Sequence, residues 1–139
     1  MTDRVLVPMD DSEMARRALR YALEAHPDAD VVLLHIVGEP SATMGAAVGL
    51  ALEDDIEAAA ENLAEDVVDQ AQEIADEYGV DVETEVRWGS PAKVIVNRAE
   101  DFDAVVIGSH GGSLADRLFV GNVATTVFQR SLVPVTVVR

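Results

Sequence analysis

Cysteine is absent from this 139-residue chain, and aromatic residues make up only 4% of it. Without a thiol, the chain cannot form disulfide frameworks, cysteine nucleophiles, iron–sulfur clusters or cysteine-ligated zinc sites. The three histidines fall on different predicted elements without short ligand spacing, which argues against a histidine metal site as well. Redox chemistry would therefore require a bound cofactor.

Long apolar runs are also missing. No stretch approaches the roughly 20 residues that span a bilayer, and Met1 to Arg4 do not begin a basic leader followed by a long apolar run. The sequence therefore predicts a cytoplasmic protein without a membrane partner. The length suits one compact domain over residues 1–139, and the 49% of hydrophobic residues suffices for a core.

Positive charge is scarce. Ten basic residues stand against 26 acidic ones, which gives a formal net charge of −16, so we expect no nucleic-acid partner. Lys93 is the single lysine. An acidic surface with so little lysine is typical of proteins that work in concentrated salt, where a Debye length of ~3 Å at 1 M screens neighbouring carboxylates. We expect a halophilic protein whose fold weakens in dilute buffer; the alternative is an ordinary acidic protein that responds little to added KCl.

The order of elements follows from hydrophobic patterning. Continuous apolar runs and one alternating segment predict five strands, at 4–9, 31–37, 81–87, 104–107 and 133–138. Helical spacing and start signals predict four helices, after Ser12, over 53–78, after Ser90-Pro91 and over 122–130. This alternation implies right-handed crossovers, so the sequence predicts an α/β fold: a doubly wound five-stranded parallel sheet with helices on both faces.

Two segments follow strands at the edge where such sheets bind ligands. Pro8 to Ser12 offers carboxylates and a hydroxyl after strand 1, and a glycine cluster at 108–113 follows strand 4, continued by Gly121 at the last helix. Glycine permits positive φ and close backbone approach, while free N–H groups at a helix start attract anions. Together they indicate a phosphate site facing a ribose-binding carboxylate. The Gly- and Ala-rich segment 38–52 is interpreted as a mobile loop that orders over the ligand.

Neither a Walker A loop nor a G-x-G-x-x-G fingerprint is present in the first strand-helix turn. The chain instead contains Gly108-x2-Gly111-x9-Gly121, with PMDDS after strand 1, AVVIGSHGG at strand 4 and PVTVV near the end. In these features it resembles the universal stress protein family over essentially its whole length. The resemblance implies strand order 3-2-1-4-5, an adenine nucleotide alpha-hydrolase-like fold, and a regulatory protein of the stress response that binds ATP with Mg²⁺.

The resemblance also implies the ligand contacts. Asp10 is placed on the ribose, which its strand-end position favours over the alternative of a plain entry to the first helix. The family's ATP-binding pattern ends in Ser or Thr where this chain has Asn122, whose amide is able either to donate to phosphate or to cap the helix. His110 is either a phosphate contact or a plain loop residue. The remaining implied contacts are Pro8, Met9, Ile36 and Val37 around adenine, and Gly108, Gly111, Gly112, Gly121 and Val123 around phosphate.

The sequence of the last predicted strand indicates pairing with another chain. Val133 to Val138 is apolar on both faces and lies at a sheet edge in the implied order, where open N–H and C=O groups favour pairing with another strand. We therefore expect a homodimer formed by antiparallel pairing of this strand about a two-fold axis.

The sequence is compatible with three functions. A regulatory ATP-binding dimer with slow or no turnover leads, since no general base and no lysine is evident near the phosphates. A slow ATPase or nucleotide transferase would use His110 or Asp11 to orient water. In an ATP-free stress-associated dimer, Asn122 would mark loss of the site. His35, within an apolar strand, is interpreted as a hydrogen-bonded core residue.

Overall fold

The computed structural model describes residues 3–37, 53–109 and 121–139. The expected ligand loop at 38–52 and the glycine cluster from His110 onward, with Gly111 and Gly112, lie outside the described residues. The described residues form five strands and four helices, in the predicted alternation. The strands are β1 (Arg4–Pro8), β2 (Asp30–Val37), β3 (Glu83–Trp88), β4 (Ala104–Gly108) and β5 (Val135–Val138); the helices are α1 (Glu13–Ala25), α2 (Glu53–Glu77), α3 (Pro91–Ala99) and α4 (Asn122–Arg130).

The strands form one parallel sheet in the order β3-β2-β1-β4-β5, which confirms the predicted fold class. β1 is central: Val5 is in register with Val31 of β2 on one side and with Ala104 of β4 on the other. The chain adds strands outward in one direction from β1 and in the other from β4. The point at which the strand order reverses therefore lies between the ends of β1 and β4.

All five strands differ from their predicted bounds by one or two residues. β5 begins at Val135 rather than Val133, because Pro134 has no N–H to donate, although its carbonyl still accepts from the Val105 N–H at 2.9 Å. β3 was predicted to have one face covered along its length. Instead, Val82 just before β3 is buried, whereas Val86 and Trp88 within it are 45% and 59% exposed.

The sheet separates two apolar cores, because successive side chains of each strand point to opposite faces. Val7 of β1 packs with α1 and α2, whereas its neighbour Leu6 packs with α3 and α4. The first core includes Leu19, Leu33, Val67 and Ile74, and the second includes Leu34, Ile95, Val105 and Val127.

The helices begin where the sequence predicts. Ser12 is the N-cap of α1, and its Oγ accepts a hydrogen bond from the Ala15 N–H at 3.1 Å. Ser90 holds the same position before α3, but its side chain makes no capping bond, and Pro91 occupies the first helical position. The longest helix, α2, has 25 residues, yet neither it nor any other helix in the described part of the chain is apolar enough over a sufficient length to cross a membrane.

The amino edge of the sheet, where the strands begin, is closed by hydrogen bonds. The Asp103 Oδ2 accepts from the backbone N–H groups of Arg4 and Asp3, at 2.9 Å and 3.0 Å. These bonds, the one from Arg4 foremost, lower the pKa of the Asp103 carboxyl below its ordinary value. The Arg4 guanidinium lies 4.5 Å from the ring centre of Phe102. Charge and backbone groups at this edge are thus matched within the protein.

Candidate functional site

A cavity of about 650 Å³ opens at the carboxyl edge of the sheet, where the strands end. Its volume lies within the range of roughly 300–1,000 Å³ typical of small-molecule sites. The ends of β1 and β4 and the start of α4 line it, so it occupies the point of strand-order reversal. The described residues that line it are Pro8, Met9, Asp10, Ser12, Ala15, Leu34, Ile36, Pro91, Ile95, Ile107, Gly108, Ser109, Gly121, Asn122, Val123 and Ala124.

The β1 side of the cavity is a tight turn with its acceptors facing outward. The Met9 N–H donates to the Leu34 carbonyl at 2.8 Å, which extends the pairing of β1 with β2. The Asp10 Oδ1 accepts from the Ser12 N–H at 2.9 Å, and the Asp10 side chain is exposed. Since an ionised carboxylate has further acceptor positions, Asp10 holds the turn and still offers negative charge to the cavity.

His35 holds this turn through a hydrogen bond to its backbone. Its side chain is 4% exposed, and its Nδ1 lies 2.9 Å from the Met9 carbonyl oxygen. A carbonyl only accepts, so Nδ1 carries the proton in this contact. The interpretation of His35 as a hydrogen-bonded core residue is confirmed.

The β4 side contains Gly108, which has a packing role in addition to its predicted place beside the ligand. Its backbone is not in the positive-φ region, so the conformational freedom expected of glycine is not used here. A Cβ at this position would lie 2.8 Å from Met14 Cγ and 3.0 Å from the Met14 carbonyl oxygen. Gly108 therefore allows α1 to rest directly on β4, and this contact alone accounts for a glycine.

Gly121 stands immediately before α4 as its N-cap. Its φ of −66° and ψ of 162° are extended values open to any residue, so positive φ is not needed here either. Its N–H donates to the Ser109 carbonyl oxygen, which ties the start of α4 to the end of β4. No side chain caps the helix at this position. The first N–H groups of α4 are consequently offered towards the cavity, as at an anion site.

Ser109, which directly follows β4, lines the cavity and was not among the predicted ligand residues. It is fully buried, its N–H donates to the Val138 carbonyl at 2.7 Å, and its carbonyl accepts from Gly121. Its Oγ has no hydrogen-bond partner in the part of the chain that the structure describes. Buried hydroxyls are nearly always bonded, so this atom is an exception that needs a reason.

The structure brings most of the predicted ligand residues together. Eight of them line the cavity: Pro8, Met9, Asp10, Ile36, Gly108, Gly121, Asn122 and Val123. Val37 is not among the described lining residues; its carbonyl accepts from the Gly89 N–H at 3.1 Å. Asp11, considered for orienting water, is likewise not among them, and its carbonyl accepts from the Arg16 guanidinium at 2.9 Å.

The electrostatics of the cavity are simple. Asp10 is the one ionisable side chain among the described lining residues. Across 3–37, 53–109 and 121–139, no three His, Asp or Glu side chains cluster as a metal site would require. The β1 side thus offers acceptors and the α4 side offers donors, an arrangement suited to a ligand with hydroxyls at one end and an anion at the other.

Comparison with known proteins agrees with this geometry. The model of the universal stress protein family matches residues 1–139. Universal stress protein YxiE of Bacillus subtilis is 31% identical over 148 residues, covering 100% of both chains.

Two solved structures are similar in fold. Universal stress protein UspA from Lactobacillus plantarum superposes with a TM-score of 0.81 at 28% identity, covering 99% of this chain and 98% of that one. A universal stress protein solved in complex with cAMP gives 0.71 at 25% identity, covering 99% and 97%. With the sheet order, the position of the cavity and a family match over every residue, this chain belongs to the universal stress protein family.

Proposed function

We propose that this protein is a regulatory adenine-nucleotide-binding protein of the stress response that takes ATP in the cavity at the carboxyl edge. The observation that carries the proposal is the pairing of Asp10 with the start of α4 across one cavity of nucleotide-binding size. The similar universal stress protein that was solved with cAMP supports an adenine nucleotide as the ligand class.

Each part of the ligand has a matching surface. Ile36 and the backbone of Pro8 and Met9 form the apolar end, which suits a base. Asp10 accepts hydrogen bonds from ribose hydroxyls, and the N–H groups at the start of α4 receive phosphate. Mg²⁺ would reach the site through the phosphates, as it commonly does in nucleotide complexes.

Turnover is expected to be slow or nil. Among the described lining residues only Asp10 ionises, and one of its oxygens already accepts from the Ser12 N–H. Removing a proton from an attacking water requires a base within reach of it. We therefore propose that ATP acts as a bound signal rather than as a substrate.

Titration calorimetry tests the ligand. We expect ATP with Mg²⁺ to bind in molar KCl and GTP to bind at least about tenfold more weakly, because the base end is apolar and guanine carries more polar groups to desolvate. AMP and cAMP titrations rank the adenylates, and mass spectrometry of ligand released from gently purified protein identifies the natural one. Absence of any adenylate, both in the released ligand and in the titrations, would contradict the proposal and favour the ATP-free dimer.

We also propose that the protein acts as a homodimer through β5. This strand pairs with β4 on one side only among the described residues, and Phe128 and Leu132, just before it, are 54% and 80% exposed. The carbonyls of Pro134 and Val138 face β4. Because strand residues alternate, the N–H and C=O groups of Val135 and Val137 face away from β4, available to a second copy.

Light scattering in molar KCl tests the dimer. We expect twice the mass of the chain for the unmodified protein and a monomer for Val137→Pro, which deletes an outward N–H and leaves the β4 bonds in place. Thr136→Pro serves as the matched control, because its lost N–H faces β4 and should lower the melting temperature. A monomeric unmodified protein at micromolar concentration would refute the dimer and leave the ligand proposal standing.

A further inference from the structure

His35 is a buried polar residue within the otherwise apolar interior of β2. Its side chain lies on the face of the sheet that packs with α1 and α2, because strand side chains alternate and Leu33 belongs to that core. The cavity is lined from the opposite face, by Leu34 and Ile36 of the same strand. His35 is not among the described lining residues, yet its Nδ1 is bonded to the carbonyl of Met9, which is one of them.

This hydrogen bond takes the place of the next step in the pairing of β1 with β2. The ladder continues past β1 as far as the bond from the Met9 N–H to the Leu34 carbonyl. In a parallel ladder the following bond would run from the Ile36 N–H to the Met9 carbonyl, since alternate residues of a strand face the same neighbour. Both groups belong to described residues, and no hydrogen bond joins them. The Met9 carbonyl is bonded to the His35 ring instead, so the ladder ends one bond early.

The diverted carbonyl determines how the chain leaves β1. Both main-chain groups of Met9 are held by β2, the N–H through the ladder and the carbonyl through a side chain. The next residue is Asp10, the one ionisable group among the described lining residues. The Met9 carbonyl and the Asp10 N–H belong to one planar peptide unit, so the bond from His35 fixes the plane from which Asp10 starts.

Satisfying the Met9 carbonyl does not by itself require a histidine. In a regular ladder the Ile36 N–H would be its donor, and an apolar side chain at position 35 would suit the surrounding core without burying a polar ring. With an apolar residue there, the carbonyl would be free to rejoin the ladder and the peptide leading to Asp10 would rotate. A histidine at this position therefore has a role beyond hydrogen-bond satisfaction.

We propose that His35 is a positioning residue, which holds the Met9 carbonyl out of the ladder and thereby orients Asp10 towards the ligand. The inference rests on the proposed function, and it assigns part of the affinity for the nucleotide to a side chain on the opposite face of the sheet from the cavity. His35 itself does not contact the ligand.

Calorimetric titration with ATP compares two substitutions of His35. His35→Leu removes the donor and keeps a bulky apolar side chain, whereas His35→Asn keeps a donor, because the Asn Nδ2 is the same number of bonds from Cβ as the His Nδ1. We expect the Kd for ATP to rise about tenfold or more in His35→Leu and to stay within about threefold in His35→Asn.

Val67→Ala is the matched control for lost stability. Val67 is fully buried in the same core as Leu33 and is not among the described lining residues. Its truncation should lower the melting temperature at least as much as His35→Leu does, because it leaves a cavity in the core. The Kd for ATP should not change in this variant.

Amide hydrogen exchange of the ligand-free protein gives a readout that does not depend on ATP. In the unmodified protein we expect the Ile36 N–H to exchange faster than the N–H of Leu34, which lies within the paired register of β1 and β2. In His35→Leu the Met9 carbonyl becomes available, so exchange at Ile36 should slow about tenfold or more. His35→Asn should exchange like the unmodified protein.

Four outcomes would overturn the inference. The first is an unchanged Kd for ATP in His35→Leu while the unmodified protein binds normally, which leaves the proposed function intact. The second is an equal rise of the Kd in His35→Leu and His35→Asn, and the third is a comparable rise in Val67→Ala. The fourth is unchanged exchange at Ile36 in His35→Leu. If the unmodified protein binds no adenylate, the proposed function fails and the positioning role fails with it, while exchange at Ile36 still decides whether His35 ends the ladder.

Discussion

The two edges of the sheet differ in how their polar groups are hydrogen-bonded. At the amino edge, Asp103 accepts from two backbone N–H groups, and Arg4 stacks over Phe102, so polar groups are matched within the chain. At the carboxyl edge, around a cavity of about 650 Å³, Asp10 is exposed and Ser109 Oγ has no hydrogen-bond partner among residues 3–37, 53–109 and 121–139. Among the described residues, the polar groups named at the amino edge are bonded within the chain, whereas those named at the carboxyl edge retain hydrogen-bonding capacity. We therefore expect the first edge to stabilise the fold and propose that the second edge binds the ligand.

Among the substitutions that test this division, Gly121→Val at the carboxyl edge is expected to have the largest effect. A branched side chain would stand beside the N–H groups of α4, so we expect ATP affinity to fall by about 100-fold or more, equivalent to ~2.7 kcal/mol. The extended φ and ψ of Gly121 are open to valine, so unfolding free energy should fall by only ~1 kcal/mol. Calorimetry and urea unfolding measure the two effects separately. Unchanged ATP affinity in a folded, dimeric variant would show that the glycine pattern serves only to turn the chain.

Gly108→Ala is the next test, because this residue lies at the carboxyl edge and its replacement should affect the stability of the fold. The new Cβ meets the Met14 backbone, which cannot move without shifting α1, so we expect a loss of ~1–3 kcal/mol of unfolding free energy. Gly121→Ala is the matched control and should cost less. In a double-mutant cycle with Met14→Ala, the cost of Gly108→Ala should fall only in part, since the carbonyl contact remains. Urea unfolding of Gly108→Ala with the midpoint of the unmodified protein would refute the packing role.

Asp10 allows its two roles to be separated. Asp10→Ala removes both the turn acceptor and the charge, and should weaken ATP binding by ~1–3 kcal/mol. Asp10→Asn retains an oxygen for the Ser12 N–H and removes only the charge. If Asp10→Asn binds as weakly as Asp10→Ala in calorimetry, the carboxylate contacts the ligand. If it binds like the unmodified protein, Asp10 serves the turn alone.

The smallest effect is expected at the amino edge, from Asp103→Asn. The fold lowers the pKa of the Asp103 carboxyl, chiefly through the Arg4 N–H, so its contribution is present above the unfolded pKa and is lost as pH falls through the folded pKa. The variant should therefore melt slightly lower at neutral pH, and the gap should close as pH falls below about 4, the ordinary pKa of an aspartate. ATP affinity should not change. A gap that persists at low pH, or a loss of affinity, would contradict the division between the two edges.

Most of the fold could be predicted because burial leaves a direct mark on sequence. The run 31–37 is apolar at every position except His35, which is typical of a strand covered on both faces. Ser12 was identified as a cap because the polar residue directly precedes an amphipathic pattern. The exposure of Val86 and Trp88 was not predictable, since alternation shows which side chains share a face and not whether a helix covers it.

The site was predicted in outline and missed in detail. The glycine spacing located Gly108 and Gly121, but the space around Gly108 is set by the distance between α1 and β4, which no local pattern records. Ser109 resembled any serine in a glycine-rich loop; the available signal was its alternation with Ile107, which places it on a buried face at a strand end. Ile95 and Ala124 come from helices whose approach depends on packing across the sheet.

The central position of β1 has a kinetic consequence. β1 pairs with β2 soon after it in the chain, but its pairing with β4 and the bond from the Asp3 N–H to Asp103 span 100 residues. Closing so long a loop loses chain entropy before native contacts compensate for it, and sheets with distant pairings fold more slowly. We therefore expect the β1–β2 half to gain hydrogen-exchange protection first in refolding. The cavity, which needs the ends of both β1 and β4, would be among the last parts of the molecule to form.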